Sequence, residues 1–216
     1  MTESVIFSNR VYASVAHRYW NPQWDEATNL RTYGQDTSRE GIGSNFRLEI
    51  SITASVGAAE SIVEAPLALL KSKVDHQCLF NEESELHARA STLENITLWL
   101  GRLVFHQPPT AGVWKNLTIW ESDRLGCVIE PGRDTVRLIF KENNLTLHMD
   151  GLVDPSSGIA MPRRLVREAV VQLNEINDSD PAKWSEKLLL HLRESIPGLR
   201  RLVIDLGRHE SLVVHS

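Results

Sequence analysis

The sequence is short of cysteine, of positive charge and of long apolar runs. Its two cysteines in 216 residues are too few for a disulfide framework. A formal net charge of −5 leaves no basic surface of the kind that binds nucleic acid. No apolar stretch approaches the roughly 18 residues of a membrane span, and the first residues lack the apolar core of a secretory leader. We therefore expect a cytoplasmic protein that binds neither nucleic acid nor membrane.

What is present fits an ordinary globular chain. Hydrophobic residues make up 42% and charged residues 24% of the sequence, as in soluble domains. A chain of this length can bury a sizeable core, as one large domain or two small ones. The choice between these two depends on how the predicted elements are ordered.

The first part of the chain predicts two strands, two helices and two further strands. Alternating apolar residues indicate the strands, and apolar residues at helical spacing indicate the helices. Ser91-Thr92-Leu93-Glu94 has the form of a capping box that begins the second helix. The predicted ranges are strands at 4–19, 46–56, 116–121 and 125–130, and helices at 65–74 and 91–103.

After the turn formers Pro131-Gly132 the same order of elements begins again. The strands are predicted at 135–140, 145–152, 201–206 and 211–215, and the amphipathic helices at 162–173 and 181–195. Such an internal repeat indicates two similar units in one chain. We place the first unit at residues 1–131 and the second at residues 132–216.

A long polar connection joins the first two strands. Its coil-forming residues Asn21, Pro22, Gly34, Gly41 and Gly43 predict an irregular loop. Loops longer than about 12–15 residues are uncommon unless they bind or cover something. This connection is therefore a candidate for part of a functional site.

Two motifs flank this connection, Ala13-Ser14-Val15-Ala16-His17-Arg18 before it and Gly41-Ile42-Gly43-Ser44-Asn45-Phe46 after it. They resemble the 6-pyruvoyltetrahydropterin synthase and 6-carboxytetrahydropterin synthase family, whose motifs read F-S-A-A-H and G-H-G-H-N-Y. In that family three histidines hold zinc and a reactive cysteine lies in the connection. Here Ile42 and Ser44 stand at two of the histidine positions and Asp36 lies near the cysteine position. The resemblance implies a metal site that has lost its ligands, so we expect no metal and no cofactor. Asp36 or Gln35 as substitute ligands stays an open alternative.

Four further stretches resemble motifs of the same family. Val74-Asp75-His76 is similar to L-D-H, Ser91 to Asn95 to S-T-T-E-N, and Trp120-Glu121-Ser122 to Y-E-T. In the second half, residues 150–161 (DGLVDPSSGIAM) resemble G-x-V-D-P-x-T-G-M-V-M. Both halves therefore resemble tunnelling-fold units.

The resemblance implies a role for each matched residue of the first unit. Asp75 and His76 would relay protons as the catalytic pair, and Glu121 would hold the pterin through two charge-assisted hydrogen bonds. The remaining substrate-binding candidates are Thr92 and Leu93 through their backbone, Glu94 through its side chain, and His17 as a pocket residue. The alternatives are a surface Asp–His pair, a capping role for Glu94, an exposed strand-end carboxylate for Glu121 and a core histidine for His17.

Other residues are open to two interpretations. Tyr19, Trp20 and Trp24 would stack on a planar ring or lie at an interface. Cys78 lies two residues beyond His76, but we expect a small buried hydrophobe. In the second unit the glutamate position is Leu206, and Asn174-Glu175 stands where the first unit has Asp75-His76. We expect the second unit to have lost its pocket and to form the opposing wall.

The predicted fold is α+β, two tandem tunnelling-fold units with an antiparallel sheet and helices on one face. The turn at Pro131 is too short for a parallel crossover, so the two sheets should continue as one of eight strands. Such a sheet has open edges, and closing it with a second copy gives a sixteen-stranded barrel. We therefore predict a homodimer, or a tetramer of two stacked rings.

The predicted function is binding of a pterin or related heterocycle without zinc-dependent synthase activity. Three classes stay open. They are a metal-independent pterin aldolase or lyase that uses Asp75 and His76, a non-catalytic protein that binds a pterin or purine, and an assembly subunit. The sequence names neither the substrate nor the direction of any reaction.

Overall fold

A computed structural model describes residues 4–55, 60–142, 145–160, 168, 199–205 and 211–215. Residue 168 is helical. The rest of the predicted helix 162–173, the predicted helix 181–195, and the predicted roles of Leu206 and Asn174-Glu175 lie outside these ranges. Among the described residues, none of the helices is both long and apolar enough to pass through a bilayer.

The described part of the chain forms one nine-stranded sheet in the order β3-β1-β2-β4-β5-β6-β7-β8-β9. Every neighbouring pair is antiparallel except β1 and the short β3. The strands are β1 (Ser4–His17), β2 (Ile42–Ser55), β3 (Gln77–Cys78), β4 (Val113–Trp120), β5 (Leu125–Ile129), β6 (Thr135–Glu142), β7 (Leu145–Leu152), β8 (Leu199–Asp205) and β9 (Ser211–His215). The helices are α1 (Glu26–Tyr33), α2 (Glu64–Val74) and α3 (Leu93–Phe105), with 3₁₀ turns at Gly34–Asp36 and Glu60–Val63. The α+β prediction is confirmed.

The long hairpin of β1 and β2 sets the position of the candidate site. It pairs from Ser4 with Ser55 to His17 with Ile42. The sequence predicts β2 to begin near Asn45, but it begins at Ile42 because the ladder continues to the end of β1. His17 therefore lies at the last rung of this hairpin, beside the connection that joins the two strands.

The sheet continues across the proposed unit boundary. β5 pairs with β6 from Ile129 with Val136 to Leu125 with Phe140, and the turn between them has a hydrogen bond from Arg133 N–H to the Glu130 carbonyl. The prediction of one continuous sheet is confirmed, but the sheet has nine strands rather than eight, because the short β3 pairs in parallel with β1. The division into tandem units at residue 131, and closure of a barrel by a second copy, stay predictions.

The helices α2 and α3 pack against one face of this sheet. Alternate strand residues point into a single apolar core that draws on both halves, from Phe46 and Leu48 in β2 to Leu147 and Met149 in β7. The helices contribute residues at helical spacing, among them Leu67, Leu70, Val74, Ile96, Leu100 and Val104. Removing this much apolar surface from water is the main stabilising contribution to the fold.

Helix α3 begins one residue later than the capping box predicts. Its N-cap is Thr92, whose side chain accepts the N–H of Asn95 at 3.2 Å. The hydroxyl of Ser91 accepts the N–H of Arg18 at 2.9 Å instead. Ser and Thr are both good N-caps. Thr92 is the cap because the Ser91 hydroxyl already accepts the N–H of Arg18, the residue that follows β1.

The connection between β1 and β2 is not the irregular loop that its coil formers predict. It contains α1, which begins at the N-cap Asp25, whose carboxylate accepts the N–H of Thr28 at 2.7 Å. The buried side chain of Asn29 ties the helix back to the Asn21 N–H at 2.7 Å. The helix sequence EATNLRTY is mostly polar, so it has no apolar periodicity to reveal it.

Candidate functional site

His17 is fully buried at the end of β1. Its Nδ1 lies 3.2 Å from the Ser91 carbonyl oxygen and its Nε2 lies 3.0 Å from the Ser44 hydroxyl. A carbonyl only accepts hydrogen bonds, so the tautomer with the proton on Nδ1 satisfies this contact. Its Nε2 faces Ser44, the residue at a position where the resemblance would place a second histidine, and Nε2 donates to a carboxylate only when the ring carries both protons.

Glu121 follows β4 directly and reaches the same cluster. Its side chain is 12% exposed, and its Oε1 lies 3.3 Å from His17 Nε2. Its Oε2 accepts the hydroxyl of Tyr19 at 3.1 Å. The Tyr19 oxygen in turn accepts the N–H of Leu93 at 3.3 Å, at the start of α3. We call His17, Tyr19, Ser44 and Glu121 the His17 cluster.

The first turn of α3 lies against this cluster. Glu94 and Thr92 are both fully buried. The Thr92 hydroxyl donates to the carbonyl of Gly158 while its oxygen caps the helix through Asn95 N–H. Of the predicted substrate-binding residues, the structure thus places Glu121 beside His17 and links it to the Leu93 N–H through the Tyr19 hydroxyl. It places Thr92 beneath a segment from the second half of the chain.

That segment, Asp154–Ala160, covers the connection and the start of α3. The Ser157 carbonyl accepts the Tyr33 hydroxyl at 2.6 Å, and the Ser156 carbonyl accepts the Asn21 amide at 2.6 Å. Burial raises the pKa of Tyr33 above its ordinary value, and the negative charges of Glu94 and Asp154 act in the same direction. Sequence reasoning placed this motif only within the second half and missed its contacts with the first.

Asp75 and His76 lie apart from the His17 cluster, at the end of α2. The Asp75 carboxylate accepts the Ser14 N–H at 2.9 Å, and its oxygens lie 3.2 Å from His76 Nδ1 and 3.6 Å from Lys71 Nζ. The Ser14 hydrogen bond lowers the pKa of Asp75, burial opposes this, and the charges of His76 and Lys71 reinforce it. The predicted Asp–His contact is therefore present.

The imidazole of His76 faces solvent. Its side chain is 82% exposed, and its φ of 58° is the only positive value at a non-glycine residue in the described ranges. It borders a surface depression of about 410 Å³ together with Ser44, Asn45 and Cys78. Ser44 belongs both to this depression and to the His17 cluster, so the two groups of residues meet at one strand end.

The residues at the expected zinc position do not fit a catalytic zinc ion. Such sites use three protein ligands. Here His17 is joined by the Ser44 hydroxyl, and Ile42 is an apolar side chain that is 39% exposed. Within the residues that the structure describes, no group of three histidine, cysteine or acidic side chains is arranged to hold a metal ion. Gln35 and Asp36, the alternative ligands, lie in the 3₁₀ turn after α1.

Two expectations about neighbouring side chains need correction. Tyr19 is buried with Tyr33 and Trp24 in a small aromatic cluster, so its ring is not available for stacking on a ligand. Cys78 is half-buried rather than fully buried, because β3 lies at the edge of the sheet and pairs on one side only. Cys127 is buried in the core.

The fold and the site together define a class of protein, an α+β chain with helices on one face of an antiparallel sheet and a polar cluster at the strand ends beside α3. No protein-family model matches the chain. A Dictyostelium discoideum 6-pyruvoyl tetrahydrobiopterin synthase is 30% identical over 113 residues, covering 49% of this chain and 82% of that protein. The Drosophila melanogaster protein of the same name is 26% identical over 94 residues, which span 40% of this chain and only 56% of that protein.

A solved structure agrees at the level of fold. Caenorhabditis elegans 6-pyruvoyl tetrahydropterin synthase superposes with a TM-score of 0.53 at 20% identity, covering 60% of this chain and 96% of that chain. The sequence match to the Dictyostelium protein shows the family of the chain, and the fold agrees with it. It belongs to the 6-pyruvoyl tetrahydropterin synthase family.

Proposed function

We propose that the chain binds a pterin or a closely related heterocycle through Glu121 and does not carry out the zinc-dependent synthase reaction. The observation that carries this proposal is the environment of the Glu121 carboxylate. It lies at a strand end, is mostly removed from solvent, and is oriented by the Tyr19 hydroxyl and His17 Nε2. A carboxylate held in this way is a directed acceptor for the N–H groups of a flat heterocycle.

Hydrogen-bond capacity supports this role. An ionised carboxylate has about four lone-pair sites on its two oxygens. Two neighbouring N–H donors of an aminopyrimidinone edge match the two oxygens of such a carboxylate as a bidentate, charge-assisted pair.

The loss of synthase chemistry follows from the metal position. A zinc ion would polarise a substrate oxygen as a Lewis acid, and the donor set of His17, Ser44 and Ile42 does not fit that ion. What remains is Asp75 with the exposed His76, an Asp–His pair of the kind used in general acid–base catalysis. Any turnover would therefore be a metal-independent lyase or aldolase type of proton transfer at the depression beside Ser44.

A second candidate is a non-catalytic assembly protein in which the pocket has closed on itself. One observation favours it: the contacts of Glu121 with Tyr19 and His17 are internal to the chain, and Thr92 is covered by Asp154–Ala160. In this case the carboxylate stabilises the start of α3 and never meets a ligand. The two candidates predict opposite results in a binding titration.

The titration follows neopterin fluorescence anisotropy as purified protein is added. We expect saturable binding, and Glu121→Gln should weaken it by about 10-fold to 100-fold, because hydrogen bonds to a charged group contribute about 1.5–3 kcal/mol. Glu130→Gln is the matched control, since Glu130 follows β5 as Glu121 follows β4 and pairs with Arg137 instead. Absence of binding by the unmodified chain, or equal binding by Glu121→Gln, would favour the assembly candidate.

We further propose that the chain is a tandem of two tunnelling-fold units that pairs with a second copy. Support comes from the C. elegans chain, which matches almost completely while covering only 60% of this one, and from the continuous sheet. β3 pairs with β1 only at Val15 and Ala16, and long open strand edges favour pairing with another chain. Light scattering should give twice the chain mass, or four times for stacked rings. A monodisperse monomer or a trimer would contradict closure by two chains.

A further inference from the structure

A second cavity is lined mainly by residues of the connection between β1 and β2, and Glu121 is not among its lining residues. It measures about 530 Å³, within the range of about 300–1,000 Å³ that small-molecule sites occupy. Its half-buried floor consists of Arg18, Trp20, Trp24 and Phe80. We call it the Arg18 cavity.

Two guanidinium groups in this cavity lie over aromatic rings. Arg18 Cζ is 4.9 Å from the centroid of Phe80, and Arg39 Cζ is 5.6 Å from the centroid of Trp20. Both distances are within the reach of a cation–π interaction. Stacking leaves the edge of a guanidinium, with its N–H donors, free to bind an anion. The Nε of Arg18 is buried and has no hydrogen-bond partner within the described residues.

The backbone holds the walls of the cavity in place. The Arg18 N–H donates to the Ser91 hydroxyl at 2.9 Å, and the Ser38 N–H donates to the Tyr19 carbonyl at 3.2 Å. Phe80 packs so closely on Gly41, which has a φ of 82°, that a Cβ there would overlap the ring. The site is therefore formed before any ligand arrives, which lowers the entropic cost of binding.

The charges of the cavity are arranged by depth. Arg18 lies on the floor, whereas Arg39, Glu26 and Glu40 are exposed at the rim, where solvent screens them. Burial lowers the pKa of Arg18, and the negative charge of Glu40 opposes this. An anion on the floor would offset the cost of burying the guanidinium.

The aromatic side chains add a surface for a flat ring. Trp24 stacks on Tyr33 with an interplanar angle of 27° and a centroid distance of 6.2 Å, so its indole is held in one orientation. Aromatic rings favour offset stacking on one another. Trp24 and Arg18 line the same cavity, so one ligand could meet Trp24 with its ring and Arg18 with an attached acidic group.

We propose that the Arg18 cavity binds a small aromatic anion, a flat ring carrying a phosphate or a carboxylate, with the anion on Arg18 and the ring on the indole of Trp24. This site is independent of Glu121 and of the function proposed for it. A phosphate and a carboxylate both match the guanidinium edge, so the test includes one ligand of each kind.

Isothermal titration calorimetry with four probes separates the two parts of this recognition. AMP supplies a ring with a phosphate, orotate a ring with a carboxylate, adenosine a ring alone, and inorganic phosphate an anion alone. We expect AMP or orotate to bind at least tenfold more tightly than both adenosine and phosphate. The tighter of the two ring-bearing anions identifies the acidic group. Absence of binding by both at millimolar concentration, or equal binding of phosphate and AMP, would overturn the proposal.

Variants locate the site. Arg18→Met should weaken binding at least tenfold, and Arg31→Met is its control, because Arg31 lies in α1 and bonds Thr28 outside the cavity. Trp24→Leu removes the stacking surface without touching the charge and should reduce the advantage of AMP over phosphate. It also keeps the test available if Arg18→Met fails to fold. Glu130→Gln, at a residue that does not line the cavity, should leave this binding unchanged. Unaltered affinity in both Arg18→Met and Trp24→Leu would show that the ligand binds elsewhere.

Discussion

The His17 cluster and the Asp75–His76 pair are both drawn from motifs of one family, yet the fold treats them differently. The cluster is buried, and its contacts join the end of β1 to β2, to the residue that follows β4 and to the start of α3. The pair stands at the sheet edge with the imidazole 82% exposed. Because buried polar groups lose more when a partner is removed, the cluster is constrained by stability, whereas His76 is free to change or to serve chemistry.

The largest expected effect is a loss of stability when the segment of residues 154–160, which covers the start of α3, is changed. Gly158 has a φ of 72°, and a Cβ there would overlap the Asn95 amide. Gly158→Ala should therefore destabilise the protein by about 2–4 kcal/mol, from overpacking together with the left-handed backbone. Urea unfolding measures this. The control is Gly132→Ala, where φ is 70° but no atom lies within 4 Å, so only about 1 kcal/mol is expected. Equal losses would show that the contact with Asn95 is not tight.

The next largest expected effect compares the free energy of unfolding after one change in the His17 cluster and one change at His76. Tyr19→Phe removes the hydroxyl that joins Glu121 to the Leu93 N–H and should reduce the free energy of unfolding by about 1–3 kcal/mol. His76→Asn should change it by less than about 0.5 kcal/mol, because the side chain is exposed and asparagine tolerates a positive φ. If both variants unfold at the same urea concentration, the contrast between the two regions is wrong.

The smallest effect is the pH dependence contributed by Asp75. Its pKa is lowered in the folded state, mainly by the Ser14 N–H, so its stabilising contribution is present above the unfolded pKa of about 3.9. This contribution disappears as the pH falls through the lower folded value. The difference in stability between the unmodified chain and Asp75→Asn should therefore be constant near neutral pH and shrink below about pH 4.

Urea titrations at a series of pH values measure this difference. Asp123→Asn serves as the control, because Asp123 is almost fully exposed and lies 3.7 Å from Arg47. A difference for Asp75→Asn that grows toward low pH would contradict the direction of the shift.

Much of the fold could be predicted from local pattern, and the failures have identifiable causes. The alternation of Phe46, Leu48, Ile50 and Ile52 predicts β2 because one face of that strand packs on the core. Apolar spacing does not reveal helix α1, because its two buried residues, Asn29 and Tyr33, form no apolar stripe and are held by hydrogen bonds. The local sequence predicts Ser91 as the N-cap of α3. It cannot show that the Ser91 hydroxyl accepts the Arg18 N–H instead, because Arg18 is 73 residues away in sequence.

The candidate site was predicted less completely. The resemblance identified His17, Glu121 and the Asp75–His76 pair as site residues, and the structure shows a hydrogen-bonded or charged contact for each of them. Their roles in binding and catalysis stay predictions. The partnership of Glu121 with Tyr19, and the cover over Thr92 provided by Gly158, could not be predicted, because each joins residues that are far apart in sequence.

The sequence by itself determined the strand alternation, the α+β class, the continuation of the sheet through the short turn at Pro131, and the substitution of Ile42 and Ser44 at the zinc position. These follow from side-chain chemistry and from spacing along the chain. Only the tertiary structure decided that Ser44 and Glu121 both face His17, that His76 is left in solvent, and that Arg18 meets Phe80 at the floor of a cavity. Such contacts depend on which strand ends and loops the packed core brings together, and no local pattern specifies them.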